Sequence, residues 1–123
     1  MRVSIWLAIA ALNGALAVSA GAFSAHGANM DSHSLGLFEI ATRYHMYHAL
    51  ALGLSALAMR SGAGFSARLA AWFFLAGIVL FSGSLYALAL TGVPTLRAFV
   101  PLGGAAFIAG WVALAITGLR MKS

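Results

Sequence analysis

Cysteine is absent from this sequence of 123 residues and charge is scarce, since two Asp or Glu and seven Lys or Arg make up 7% of the chain. Soluble domains carry about 25% charged residues. Without cysteine the chain has no disulfide and no thiolate metal ligand. With two carboxylates and no nucleotide-binding loop, the sequence gives little support for an enzyme, and we predict no catalytic and no metal-binding residues.

Hydrophobic residues make up 63% of the chain. A soluble protein this short has no room to bury so much apolar surface, so the sequence predicts a lipid bilayer as its solvent. The net charge of +5 comes from basic residues that stand singly along the chain. This pattern is typical of the flanks of membrane spans and does not indicate nucleic-acid binding.

Four apolar segments have the length of about 20 residues that a membrane-spanning helix needs. They cover about residues 3–24, 36–59, 69–90 and 99–119. The short connections are rich in Gly, Ser, Asn or Pro, as loops are. We therefore predict an all-α fold, an integral membrane four-helix bundle in which residues 1–123 form a single transmembrane domain. The first segment also resembles a signal peptide, but its apolar stretch continues to Phe23, which favours a retained helix.

The distribution of Lys and Arg predicts the orientation of the bundle. One side would carry five basic residues, and the other would carry Arg97, together with Arg43 if it lies at the membrane edge. The five are Arg2, Arg60, Arg68, Arg120 and Lys122. Because basic residues concentrate on the cytoplasmic side, we expect a multi-pass membrane protein with both termini inside (N-in and C-in).

Polar groups cluster where the second apolar segment begins. On a helix, Glu39 and Arg43 lie one turn apart on one face, and Tyr44 and His48 lie on the opposite face. If the hydrocarbon begins near Ile40, His48 lies about 12 Å inside a layer about 30 Å thick. An ionisable residue at that depth is either a functional group or a neutral imidazole that is hydrogen-bonded to another helix.

We predict one outward-facing polar pocket centred on His48 and built from polar residues of the outer half of the bundle. Its candidate members are His26, Glu39, Arg43, Tyr44, His45, His48, Ser82, Ser84 and Tyr86, with Asn13 at the floor. An interfacial ion pair is the simpler interpretation of Glu39 and Arg43. His45 is expected nearer the membrane interface than His48.

Small residues predict close helix packing. Stripes of Gly and Ala at spacings of three and four allow backbones to approach, either within the bundle or between copies of the chain. The residues to which we assign a packing role are Gly14, Gly21, Gly83, Pro101, Gly103 and Gly110. Residues 81–84, Phe-Ser-Gly-Ser, are also expected to allow a bend or a close backbone contact.

The residues alone do not identify a cofactor. His45 and His48, three residues apart, would need a further ligand such as His26 to hold a metal ion, and no signature fixes such a site. For haem, His48 would need a second histidine from another helix or subunit. A quinone or lipid-headgroup pocket beside His48 and Tyr86 is also compatible with the residues, so the cofactor stays unknown.

Four motifs, in this order, resemble a known family. They are residues 21–27 (GAFSAHG), 44–50 (YHMYHAL), 81–86 (FSGSLY) and 101–104 (PLGG), the last followed by Gly110 and Trp111. The series resembles domain of unknown function 423, which includes YgdD-like small bacterial inner-membrane proteins, and is similar to vertebrate transmembrane protein 256. The resemblance covers about residues 5–119 and implies a four-helix integral membrane protein without an established activity. It also implies importance, without roles, for His26, Tyr44, His48, Ser82, Gly83, Tyr86, Pro101 and Gly103.

We therefore predict a non-enzymatic accessory or scaffold protein that binds other components of the membrane. A homo-oligomer and a complex with another membrane protein are both compatible with the sequence. One alternative hypothesis is a small transporter or proton pathway that uses His48. The other is a membrane subunit that binds haem, quinone or a metal ion.

Overall fold

A computed structural model of the chain describes residues 2–26 and 29–121. Four helices account for most of these residues, which confirms the all-α prediction. They are α1 (Val3–His26), α2 (Ser32–Ala58), α3 (Gly64–Thr91) and α4 (Phe99–Arg120). Two short 3₁₀ turns, Met59–Ser61 and Pro94–Ala98, precede α3 and α4. Gly27 of the first motif and Lys122 of the basic set lie outside the described residues.

Three of the four helices are long and apolar enough to cross a membrane. They are Val3–His26, Gly64–Thr91 and Pro94–Arg120, the last of which includes the 3₁₀ turn before α4. Helix α2 is long enough to cross a membrane, with 27 residues, but its composition is less apolar than that of the other three helices. The expectation of four apolar spans is therefore met by three helices, and α2 is the one whose polar side chains need partners.

Helix α2 begins about four residues earlier than predicted because Asp31 caps it. Asp31 Oδ1 accepts a hydrogen bond from the backbone N–H of Ser34 at 2.7 Å, which satisfies one of the free amides at the start of the helix. The same bond lowers the pKa of the Asp31 carboxyl, since it favours the ionised form. After α2, Gly62 adopts a left-handed φ of 89°, and α3 already begins at Gly64 rather than near residue 69.

Helices that follow each other in the chain pack against each other: α1 on α2, α2 on α3, and α3 on α4. Helices α2 and α4 touch at few positions. The core contains Trp6, Leu52 and Phe74, all fully buried, and Trp6 packs edge-on against Trp72 with ring centroids 4.9 Å apart. Each helix thus packs mainly against its neighbours in the chain. This arrangement leaves one groove between α2 and α4 and another between α1 and α3.

Helix α3 contains a π-helical turn, Ile78–Ser82, at the stretch where the sequence predicts a bend or a close contact. Gly103 of α4 lies against this turn, where a Cβ at residue 103 would lie 2.7 Å from Phe81 Cβ and 2.8 Å from the carbonyl carbon of Leu80. The ring of Phe74 likewise packs against Gly110, in the space that a Cβ at residue 110 would occupy. Two glycines of α4 thus set its close approach to α3.

Candidate functional site in two lateral grooves

His48 links α2 to α4. Its Nδ1 lies 2.7 Å from the carbonyl oxygen of Tyr44, and because a carbonyl only accepts, Nδ1 carries the proton. Its Nε2 therefore accepts a hydrogen bond, at 3.1 Å, from the indole N–H of Trp111. The imidazole stacks on Phe107 with centroids 3.5 Å apart and planes 7° apart. Both nitrogens of a neutral His48 are thus satisfied within the protein.

His45 joins three helices through a second network. Its Nε2 lies 3.0 Å from Asn13 Oδ1 of α1, and its Nδ1 lies 2.9 Å from the hydroxyl of Tyr86 in α3. The Asn13 amide donates its own N–H to the carbonyl of Ile9, so its oxygen faces His45 and the imidazole donates from Nε2. Nδ1 then accepts from the Tyr86 hydroxyl. The neutral His45 thus carries its proton on the opposite nitrogen from His48.

Two further hydrogen bonds between helices involve hydroxyl groups. Buried Ser82, in the π-helical turn, donates to the carbonyl oxygen of Ala41 in α2 at 2.8 Å. Thr117 of α4 donates to Ser66 of α3 at 2.7 Å. Sequence reasoning did not propose the pair of Ser66 and Thr117, because a lone hydroxyl in an apolar helix carries no signal until its partner helix is known.

The two histidines line different grooves. The α2/α4 groove has a volume of about 740 Å³ and is lined by Tyr44, Tyr47, His48 and Leu54 of α2 and by Phe107 and Trp111 of α4. The α1/α3 groove has a volume of about 650 Å³ and is lined by Leu16 and Phe23 of α1, Val79, Tyr86 and Leu90 of α3, and His45 between them. Both grooves open sideways. The structure therefore divides the residues that the sequence places in one pocket.

The remaining candidates for the polar pocket lie outside these networks. Glu39 and Arg43 are exposed, and neither forms an ion pair with another residue in the ranges that the structure describes. His26 is exposed at the end of α1, and Ser84 is buried in α3. The interfacial ion pair therefore does not form among the described residues, and Arg43 is exposed toward an external group.

The predicted packing residues also differ from one another. A Cβ at Gly21 would lie 3.4 Å from Thr42, and one at Gly83 would lie 3.7 Å from the carbonyl oxygen of Ile78, which are ordinary contacts. A Cβ at Gly14 would meet no atom within 4 Å. Pro101 is exposed in the first turn of α4, where a missing N–H costs no helix hydrogen bond. Tight packing is therefore confined to Gly103 and Gly110 within this set.

The histidines are not arranged as metal ligands. In the described part of the chain, no three His, Asp or Glu side chains come together in a way that would hold a metal ion. The lone pair of His48 Nε2 is used by Trp111 and that of His45 Nδ1 by Tyr86. Ligation of a metal or a haem iron by either imidazole would break one of these hydrogen bonds.

Comparison with known proteins identifies the family. The family described as Protein of unknown function (DUF423) matches residues 20–104, a range that includes both histidines and the π-helical turn. This chain belongs to the DUF423 family. The UPF0382 membrane protein YwdK of Bacillus subtilis is 43% identical over an alignment of 122 residues, and the match covers 96% of this chain and 98% of that protein. No solved structure matches the chain.

Other relatives carry the same description. The UPF0382 membrane protein SAB0533 of Staphylococcus aureus is 42% identical over 121 residues, which cover 96% of this chain and 98% of the relative. A UPF0382 membrane protein of Haemophilus influenzae is 38% identical over 121 residues, 96% of each chain. Membership of DUF423 confirms the resemblance seen in the four motifs. With its three long apolar helices, the chain is a membrane protein in a lipid environment, and the family's description assigns no biochemical role.

Proposed function

We propose that this DUF423 protein is a non-enzymatic accessory or scaffold protein of the cell inner membrane that holds other membrane components in its lateral grooves. One observation supports this most directly. The imidazoles in both grooves are fully hydrogen-bonded inside the protein, whereas the groove walls are apolar and open to the side. Such a surface accepts a hydrophobic partner, and neither imidazole is free to act as a base, an acid or a nucleophile.

The proposal includes four spans with both termini inside, so that α2 also crosses the membrane. Hydrogen bonds to α1, α3 and α4 satisfy the imidazoles of His45 and His48, which lowers the cost of burying this part of α2 in lipid. Because the chain contains no cysteine, single-cysteine variants test the orientation directly. We expect Thr95→Cys to react with a membrane-impermeant maleimide in intact cells and Ser61→Cys to react only after permeabilisation. The reverse pattern would overturn the orientation.

The function itself is tested on the gently purified protein. We expect native mass spectrometry to show bound lipid or a protein partner, and we expect the visible spectrum and metal analysis to show neither haem nor a metal ion at one equivalent per chain. A stoichiometric haem, quinone or metal ion would overturn the scaffold proposal and support the cofactor-binding alternative.

The proton-pathway alternative requires that His48 bind and release a proton at Nε2. To relay a proton, Nε2 would have to give up its hydrogen bond from the indole N–H of Trp111, and the indole neither gains nor loses a proton near neutral pH. We therefore expect no proton flux in liposomes under a pH gradient above the flux of protein-free vesicles. A flux that disappears in His48→Ala would overturn this expectation and the scaffold proposal with it.

A further inference from the structure

We infer that the α2/α4 groove binds one anionic phospholipid, with an acyl chain along the groove and the phosphate between Arg43 and Arg97. The inference rests on the proposed function, because it names the membrane component that one of the two grooves holds. It follows from the length of the groove, from the charges at one of its ends and from the contrast with the α1/α3 groove.

The length of the groove matches one leaflet of a bilayer. The groove follows α2 from Tyr44 to Leu54, which is about 15 Å at the helical rise of 1.5 Å per residue. Half of the hydrocarbon layer is also about 15 Å thick. The walls are apolar, and Leu50 and Ile108 at the mouth are 63% and 67% exposed. An acyl chain of the surrounding leaflet can therefore enter from the side and lie along α2 without breaking a hydrogen bond.

Two arginines lie at one end of this groove. Arg43 is one turn before Tyr47, on the face of α2 that lines the groove. Arg97 lies in the 3₁₀ turn Pro94–Ala98 that leads into α4, seven residues before Gly104 of the groove lining. Both arginines are exposed, and neither pairs with an acid in the described ranges. Guanidinium groups bind phosphate oxygens in a bidentate way, which suits a phosphodiester headgroup.

The other groups at this end are compatible with an anion. Glu39 is the one acidic residue of α2, and it lies one further turn from the groove, on the far side of Arg43. Tyr47 is half exposed at the wall, and its hydroxyl forms no hydrogen bond with a described residue, so it is free to bond an ester or phosphate oxygen. An anionic lipid is thus favoured over a zwitterionic one.

The α1/α3 groove provides an internal contrast. It has a similar volume, and neither groove has an arginine or lysine among its lining residues, so the two grooves differ in the residues at their ends. The residues at the matching end, where α1 ends and α3 ends, are His26 and Thr91. If apolar walls alone bound the lipid, the two grooves would bind it alike. The proposed preference for anionic lipid depends instead on Arg43 and Arg97.

The test uses the full chain in detergent with an equimolar mixture of phosphatidylglycerol and phosphatidylcholine that carry the same acyl chains. Native mass spectrometry counts the retained lipids. We expect one retained phosphatidylglycerol, favoured by about 30-fold over phosphatidylcholine, given the attraction typical of two arginines for a lipid with a net negative charge. The double variant Arg43→Gln with Arg97→Gln should abolish this preference. The matched control, Arg60→Gln with Arg68→Gln, removes the same charge at the opposite end and should keep it.

A second variant tests the groove rather than the charges. A Cβ at Gly104 would meet only Phe81 Cδ2, at 4.0 Å, so Gly104→Leu fills the groove without a clash at its first atom. We expect this variant to lose the retained phosphatidylglycerol while keeping the helix content and the oligomeric state of the parent. Equal retention of the two lipids, or a preference that survives the Arg43 and Arg97 double variant, would overturn the site. Loss of the preference in the control double variant would do the same.

Retention of the preference in Gly104→Leu would place the lipid outside the groove and also overturn the inference. These outcomes are separate from those of the scaffold proposal. If no lipid is selected but a second copy or another membrane protein is retained, the lipid site fails and the scaffold proposal stands. A haem, a metal ion or a His48-dependent proton flux would remove the scaffold proposal itself.

Discussion

The contact between Gly103 and the π-helical turn of α3 leads to a sharp prediction about stability. In Gly103→Ala, the new Cβ would lie 2.7 Å from Phe81 Cβ and 2.8 Å from the carbonyl carbon of Leu80. Carbon atoms in good contact are about 3.5–4.0 Å apart. Helix α4 would therefore have to move by about 1 Å. The blocking atoms belong to the backbone and the first side-chain carbon, so no rotamer change relieves them.

The magnitude follows from this geometry and from a matched control. Overpacking of this kind costs about 1–3 kcal/mol. In Gly14→Ala the same methyl group is added on α1, where no atom lies within 4 Å. The intrinsic preference of Ala over Gly in a helix, about 1 kcal/mol, is present in both variants and cancels in the comparison. We expect Gly103→Ala to be about 1–3 kcal/mol less stable than Gly14→Ala.

Reversible unfolding by SDS in mixed micelles, followed by tryptophan fluorescence and circular dichroism, measures the difference. The three tryptophans of the chain report on its packing. If the two variants unfold with free energies within about 0.5 kcal/mol of each other, the close approach of α4 to the π-helical turn is refuted.

Two further predictions concern the polar groups of α2 and its cap. In a double-mutant cycle of His45→Leu and Asn13→Leu, the hydrogen bond predicts a coupling of about 0.6 kcal/mol and at most about 1.7 kcal/mol; strictly additive losses would contradict it. The pKa of Asp31 is lowered by its bond to the Ser34 amide, so its cap contributes in full above the ordinary pKa of 3.8 and is lost as the pH falls through the lower folded value. An NMR titration of the Asp31 carboxyl should therefore give a midpoint below 3.8, and a midpoint at or above 3.8 would rule out the capping bond.

The helices themselves could be predicted because their apolar runs are long and their breaks are local. The ends were less predictable. The start of α2 depends on the side chain of Asp31, which accepts a hydrogen bond from the backbone amide three residues later. The composition of the loop alone does not predict such a cap. The π-helical turn of α3 overlaps the start of residues 81–84, where small and hydroxyl residues predict a bend or a close contact. Its contact with Gly103 involves another helix, which no local pattern contains.

The site could be predicted only in part. Helical periodicity shows that His45 and His48 point in different directions, but it does not show which helix each one meets. His48 faces α4 and finds Trp111, whereas His45 faces α1 and α3 and finds Asn13 and Tyr86. A single pocket was therefore a reasonable prediction from depth along the helix. Two grooves follow from the order in which the helices pack, which is a tertiary property.

The polar character of α2 has a consequence for how the protein is made. Helix α2 leaves the ribosome before α3 and α4 exist, so at that stage Asn13 of α1 is the available partner, and only for His45. Charged residues at the centre of a helix oppose its insertion by about 2.5–3.5 kcal/mol each, and less near its ends. If α2 crosses the membrane as proposed, we expect the translocon to hold α1 and α2 as a hairpin until Tyr86 and then Trp111 are synthesised. The order of synthesis thus becomes the order in which His45 and His48 find their partners on other helices.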